Sequence, residues 1–247
     1  MEALLVRLEA PLMSFGAPIV DRNGVIQPYP ALSLMTGLLG NALGYDHSDF
    51  ERLEQLQERL VYASRQDRRG RQIRDYQTVD LSAAYMQDDH AWTTAGEIEE
   101  RKGGRASTGT HIRLRDYWAD ASHIVAITLE PRDEDPTLDD LQRALQHPER
   151  PLFLGRKPCL PSTPLYAGRI EAADLVDALR RAPLASRADA GLRYRAWWPT
   201  HPNGQEHPAD MRQPVTDRRD WANQIHVGER WIAEGELTIE LGEDDHE

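Results

Sequence analysis

Residues 4–44 constrain the fold most: an apolar run, a proline- and glycine-rich loop, then a helix built on small residues. Leu4, Leu5, Val6 and Leu8, bounded by Ala10-Pro11, have the pattern of a strand buried on at least one face. Pro11, Gly16, Pro18, Gly24, Pro28 and Pro30 keep the next segment out of regular structure. Ser33 opens a helical period through Leu34, Leu38, Leu39 and Leu43, and Gly44 stops it. Gly37 and Gly40 lie inside that helix. Each costs roughly 1 kcal/mol against alanine there, so the face suits close approach of another backbone. Two occupants fit: the protein's own sheet, or a phosphate backbone.

Further along, Phe50, Leu53, Leu56 and Leu60 predict an amphipathic helix over 49–60. Val61-Tyr62-Ala63 starts a strand that Arg68-Arg69-Gly70-Arg71 interrupts. Ile73 to Val79 alternates as a strand, with Arg74, Tyr76 and Thr78 on one side. Residues 80–107 hold few aliphatics and read as a loop or hairpin tip. Thr108 to Trp118 returns extended, His111, Arg113 and Arg115 alternating with Ile112, Leu114 and Asp116. Two basic strands around a polar tip predict a β-ribbon, inserted at about 68–118, that projects from the body and suits wrapping a polyanion. Ser122 to Leu129 is the cleanest core strand, Leu138, Leu141 and Leu145 give a short helix, and Leu165 to Ile170 a last strand. The tally over 1–170 is βαββαβ, an α+β, ferredoxin-like order shared by RRM-type RNA binders. Residues 171–247 read as a small C-terminal β-containing subdomain: a helix at 171–186, an irregular stretch from Arg187 to Asp220, and a closing strand from Trp231 to Leu241. Trp197, Trp198, Trp221 and Trp231 are expected in the core or at a subunit interface.

The net charge of −12 argues against a nonspecific nucleic-acid coat but not against a local site, because charge is segregated. Arg65, Arg68, Arg69, Arg71 and Arg74 crowd residues 64–76; Arg101, Lys102, Arg105, Arg113 and Arg115 crowd residues 101–115, which hold no acid. The alternative is that these are solvated surface arginines. The single cysteine, Cys159, cannot form an internal disulfide, and the Met-Glu-Ala-Leu-Leu start lacks a basic leader, so a cytoplasmic location is expected. No apolar run approaches the roughly 18 residues a membrane span needs.

Four stretches in order carry a family resemblance. They are the Leu4–Gly16 strand and loop with Ser33-Leu34-Met35-Thr36-Gly37-Leu38-Leu39-Gly40; Arg74-Asp75-Tyr76-Gln77-Thr78-Val79; Arg115-Asp116-Tyr117 leading to Asp120-Ala121-Ser122; and Phe153-Leu154-Gly155-Arg156-Lys157-Pro158-Cys159 with Pro164-Leu165-Tyr166-Ala167-Gly168. Over residues 3–170 the chain resembles the RAMP proteins of CRISPR systems, within them the CasD subunits of type I-E Cascade. The resemblance implies a ferredoxin-like RAMP domain whose inserted hairpin is a thumb over crRNA. It further implies a non-catalytic subunit that holds the crRNA 5′ handle and packs against backbone RAMP subunits and the large subunit. Target DNA is met only through the complex. No cofactor, metal or membrane is implied.

Residue by residue, the candidates for RNA contact are these. Leu12, Met13, Ser14, Phe15 and Gly16 form the loop after the first strand, where Phe15 and Met13 could meet a splayed base or simply cap the core. Thr36, Gly37 and Gly40 let a backbone approach the helix. Arg74, Tyr76 and Thr78 share one strand face, while Lys102, Arg105 and Arg113 grip phosphates from the ribbon, and Arg156 and Lys157 follow Gly155. His111, beside Arg113 and near Tyr117, is counted with them. It also keeps open a rival reading, a metal-independent endoribonuclease acting on precursor crRNA. His201 and His207 lack a recognised metal spacing, and no Walker loop, nucleophile elbow or HExxH is present.

Overall fold

Strand β1 (Glu2–Met13) is buried on both faces, and the architecture follows from that. Leu4, Val6, Leu8 and Ala10 enter one core, Ala3 and Leu5 another. A strand covered on both sides reads as a continuous apolar run rather than an alternation. The computed structural model describes residues 1–17, 23–80, 91–92, 98–99, 110–200 and 207–239. Pro11 lies inside β1, although Ala10-Pro11 was expected to bound it. Its side of the strand, shared with Arg7 N–H donating to Leu165 O, is unpaired beyond Ser162, so no ladder bond is lost.

On either side of β1 run β7 (Thr110–Leu129) and β8 (Tyr166–Glu171), and β3 (Leu60–Arg68) pairs with the far side of β7, all antiparallel. The order β8-β1-β7-β3 is the ferredoxin-like one predicted from βαββαβ. Helices α1 (Leu32–Ala42), α2 (Phe50–Arg59) and α3 (Leu138–Gln146) cover the Leu4 face through Met35, Leu39, Leu56 and Leu141. Helix α4 (Leu175–Arg181) covers the other face through Leu175, Val176 and Leu179.

Past β3 the same sheet continues through β9 (Arg193–Pro199), β13 (Arg230–Thr238) and β10 (Met211–Val215). The expected irregular stretch from Arg187 to Asp220 is corrected accordingly: it contains β9 and β10. Two of its prolines sit where a strand tolerates them: Pro199 ends β9 and Pro214 lies on the outermost strand, while Pro208 stands between strands. Trp197 and Trp198 point to opposite sides of β9, Trp198 into the α4 core and Trp197 against Tyr29 and Ile232. Trp221 is buried as expected, whereas Trp231 is exposed.

The two extended segments predicted at Thr108–Trp118 and Ser122–Leu129 are one strand, β7, of 20 residues. Strands β3 and β4 (Arg71–Asp80) run along its whole length, from Leu60 opposite Leu129 to Asp80 opposite Thr110. The register slips once, at Asp67. At the joint Gly70 has φ +63°, and a Cβ there would stand 2.4 Å from Ala119 O, so only glycine fits. Beyond it β4 continues along β7 within the same sheet, and these two strands are the pair expected at the root of the ribbon. Short β2 (Asn23–Gly24) lies parallel to β7 at Leu114 and Arg115, and β5 (Ala91–Trp92) pairs with β6 (Ile98–Glu99).

Candidate nucleic-acid interface

The basic stretch 64–76 divides into structural and available cations. Arg65 is fully buried, its Nε donating to Asp67 Oδ1 at 2.6 Å and its Nη1 to Ala182 O at 3.0 Å. Arg7 donates to the same carboxylate and, at 2.7 Å, to Pro183 O. The slip at Asp67 thus clamps β1 and β3 to the end of α4. Arg68, also buried, donates to Glu9 Oε1 at 3.1 Å and Asp120 O at 2.7 Å. Arg69 and Arg71 stay exposed.

Cross-strand partners share a face, so the ribbon has two distinct sides. One carries Arg74, Tyr76 and Thr78 with Asp116, Leu114 and Ile112. There Arg74 is bidentate to Asp116, which it holds below the usual carboxylate range mainly by that hydrogen bond. Tyr76 is 61% exposed. The other side carries Ile73, Asp75 and Gln77 with Tyr117, Arg115 and Arg113. Arg113 is therefore not on the face of Arg74, Tyr76 and Thr78.

Arg156 joins this second side. Its guanidinium lies 4.8 Å from the Tyr117 ring centre and donates to Asp116 O at 2.9 Å and Gly24 O at 3.1 Å. Arg115 arrives at the same glycine: a Cβ on Gly24 would stand 2.7 Å from Arg156 Nη2 and 2.8 Å from Arg115 Nη1. Among the described residues Arg113, Arg115, Arg156 and Lys157 form no ion pair. Arg115 Nη1 is buried without a hydrogen-bond partner. Arg115 was not singled out among the candidates in the sequence, although its alternation with Arg113 placed it on the same side of the ribbon.

Arg156 is placed there by the packing of two loops. Ser14 N–H donates to Leu154 O at 2.9 Å. A Cβ on Gly155, which has φ +103°, would stand 2.0 Å from Ser14 O. Met13 and Phe15 are fully buried, Phe15 edge-on to His123 with ring centres 5.2 Å apart. The base-stacking role considered for them is corrected: they fill the core because β1 extends to Met13. Leu12 is half-buried, Ser14 buried and Gly16 exposed.

In α1, Thr36 is buried and donates to Leu32 O at 2.9 Å, so it is not offered to a ligand. A Cβ on Gly40 would stand 2.5 Å from Leu53, so this glycine admits α2 rather than a phosphate. Gly37 lines a groove of about 830 Å³ shared with Ser14, Gly16 and Arg156. Lys102 and Arg105 lie outside the described residues. His111 is described as backbone alone, opposite Val79. Among the described residues no group of three or more metal-ligating side chains exists, and no helix is long and apolar enough to cross a membrane.

The family model described as CRISPR-associated protein (Cas_Cas5) matches residues 3–233. "CRISPR system Cascade subunit CasD" of Escherichia coli (strain K12) is 31% identical over 176 residues, 71% of this chain and 75% of that one. A chain of a "CRISPR RNA-guided surveillance complex" has a TM-score of 0.69 at 23% identity, covering 96% of this chain and 90% of that chain. A second, "Crystal structure of Cas protein", has a TM-score of 0.61 at 25% identity, with 96% and 95% covered. The match spans the sheet, the ribbon root and the Gly155 loop alike, and the chain belongs to the Cas5 family of CRISPR-associated proteins.

Proposed function

We propose that this chain is the crRNA-binding subunit of a type I-E Cascade surveillance complex, that it holds the 5′ handle, and that it does so without cutting RNA. The observation that carries the reading is the convergence of Arg115 and Arg156 on Gly24. Two guanidiniums brought together with, among the described residues, no carboxylate paired to either call for an anion. Arg113 and Lys157 extend the same field, and the ribbon supplies a long edge along which a strand can run. The curated relative is named as a Cascade subunit, which supports this reading; the partners proposed with it are crRNA, backbone RAMP subunits and the large subunit, with target DNA met through the complex.

The test is RNA binding by the double charge reversal Arg113→Glu with Lys157→Glu. Loss of two phosphate contacts lowers affinity by about tenfold or more and flattens the salt dependence. Wild-type affinity and salt slope contradict the assigned face. His111→Ala checks the non-catalytic part: crRNA maturation stays unchanged, and its loss means the chain is a nuclease.

A further inference from the structure

The segment 24–32 runs from the arginine site to α1, and side chains from four places hold it. Arg156 Nη2 donates to Gly24 O at 3.1 Å. Trp118 Nε1, at the root of the ribbon, donates to Gln27 O at 2.7 Å, and Gln27 N–H donates to Phe15 O at 2.6 Å. Tyr62 Oη on β3 donates to Pro30 O at 2.7 Å. Asp217 Oδ2 accepts from Leu32 N–H at 2.9 Å, and Asp217 O accepts from Ser33 N–H at 3.0 Å. The first turn of α1 needs that partner, because Ala31 before it has no side-chain acceptor to cap the helix.

Asp217 is itself fixed. Arg230 on β13 donates to it twice, Nε to Oδ1 at 2.8 Å and Nη2 to Oδ2 at 2.7 Å, and Nη2 also donates to Tyr62 Oη at 2.7 Å. One guanidinium thus ties the Pro30 and Leu32 anchors together. Just after Asp217 comes the hairpin of β11 (Arg219–Asp220) and β12 (Ile225–His226), and the Arg219 backbone exchanges two hydrogen bonds with the Gln57 side chain on α2, at 2.8 and 3.0 Å.

Between Gln27 and Leu32 the chain has little freedom. Pro28 and Pro30 each hold φ near about −65°, and Tyr29 packs on Trp197 with ring centres 5.8 Å apart. A segment this stiff carries a displacement of Leu32 back to Gln27 and on to Gly24. Gly24 O and Asp116 O are the two acceptors that orient the Arg156 guanidinium.

We propose that Asp217, Arg230 and Trp118 are positioning residues for crRNA binding: through the segment 24–32 they hold Gly24 O where it aims Arg156 beside Arg115. The proposal rests on the RNA-binding reading above. It gives the end of the chain, beyond the stretch that carried the family resemblance in the sequence, a part in RNA affinity without RNA contact.

The test is a double-mutant cycle on the full chain, read as the affinity and salt slope for a repeat-derived handle RNA at a temperature where circular dichroism shows each variant fully folded. A purely structural role leaves both readouts unchanged under that condition. Asp217→Asn keeps the shape and removes the charge that Arg230 holds; it weakens binding about three- to tenfold and lowers the slope. In an Arg156→Ala chain, already about tenfold weaker than wild type, Asp217→Asn has no further effect. Trp118→Phe keeps the ring, removes the donor to Gln27 O and gives the same pattern, so it carries the test where Asp217→Asn does not fold. A folded Asp217→Asn or Trp118→Phe chain that binds as wild type overturns the proposal. So does a loss of equal size with and without Arg156. In both cases a weakened Arg156→Ala chain leaves the RNA-binding reading standing. An Arg156→Ala chain with wild-type affinity and slope overturns that reading, and the proposal with it.

Discussion

Arg74 and Asp116 face each other across the ribbon, Nε to Oδ1 at 2.6 Å and Nη2 to Oδ2 at 3.0 Å. The pair neutralises the side of the ribbon that carries Arg74, Tyr76 and Thr78, and leaves the charge for phosphate on the Arg113 side. Arg74→Ala therefore changes RNA affinity by less than about threefold, well below the loss from reversing Arg113. Asp116 reports the same pair independently. Its ionised form is favoured in the fold above the ordinary carboxylate range, and that contribution fades as pH falls through its lowered pKa. In Arg74→Ala the Asp116 titration moves up, measured by NMR; an unmoved titration contradicts the pairing.

Asp67 carries the joint between β1, β3 and α4. Asp67→Asn leaves Arg7 and Arg65 buried without their anion and costs about 3–5 kcal/mol in urea unfolding. A loss under about 1 kcal/mol means these arginines are not held by the carboxylate.

His123 is buried between Phe15 and Trp197, and burial lowers its pKa to about 4. The unfolded chain takes up a proton near pH 6.5 that the fold refuses until about pH 4. Stability therefore falls as pH drops through that window, by about 3 kcal/mol in all. Replacing His123 by leucine removes this part of the slope. Urea titrations at stepped pH measure it, and an equally steep profile in the variant assigns the slope elsewhere.

Gly155→Ala forces a Cβ onto Ser14 O and a left-handed backbone onto alanine. A cost of about 2 kcal/mol or more follows, with Arg156 displaced from Gly24. A melting temperature and RNA affinity both equal to wild type contradict the packing of these two loops.

The ferredoxin-like order was legible because each core element has its own period: Leu4 to Leu8 as a strand, Leu53 and Leu56 as a helix face, Ser122 to Leu129 as a strand. The ribbon was legible from two basic stretches around a polar tip. Burial of individual cations was not. Arg65 and Arg113 look alike in sequence, yet one closes a buried joint and the other stands exposed, because only the register slip at Asp67 decides which way Arg65 and Arg68 point. Strand β9 was hidden by the prolines around Trp197-Trp198, and the Asp217 cap of α1 by its distance in sequence from the helix it meets.

The most direct measurement is co-purification of the tagged full chain with its complex from cells carrying the cognate CRISPR array, followed by sequencing of the bound RNA. Uniform crRNAs sharing a repeat-derived 5′ end, lost when Arg113 and Lys157 are reversed, are the predicted result. A complex that assembles and holds the same crRNAs at the same level without this chain would contradict the claim that it grips the handle.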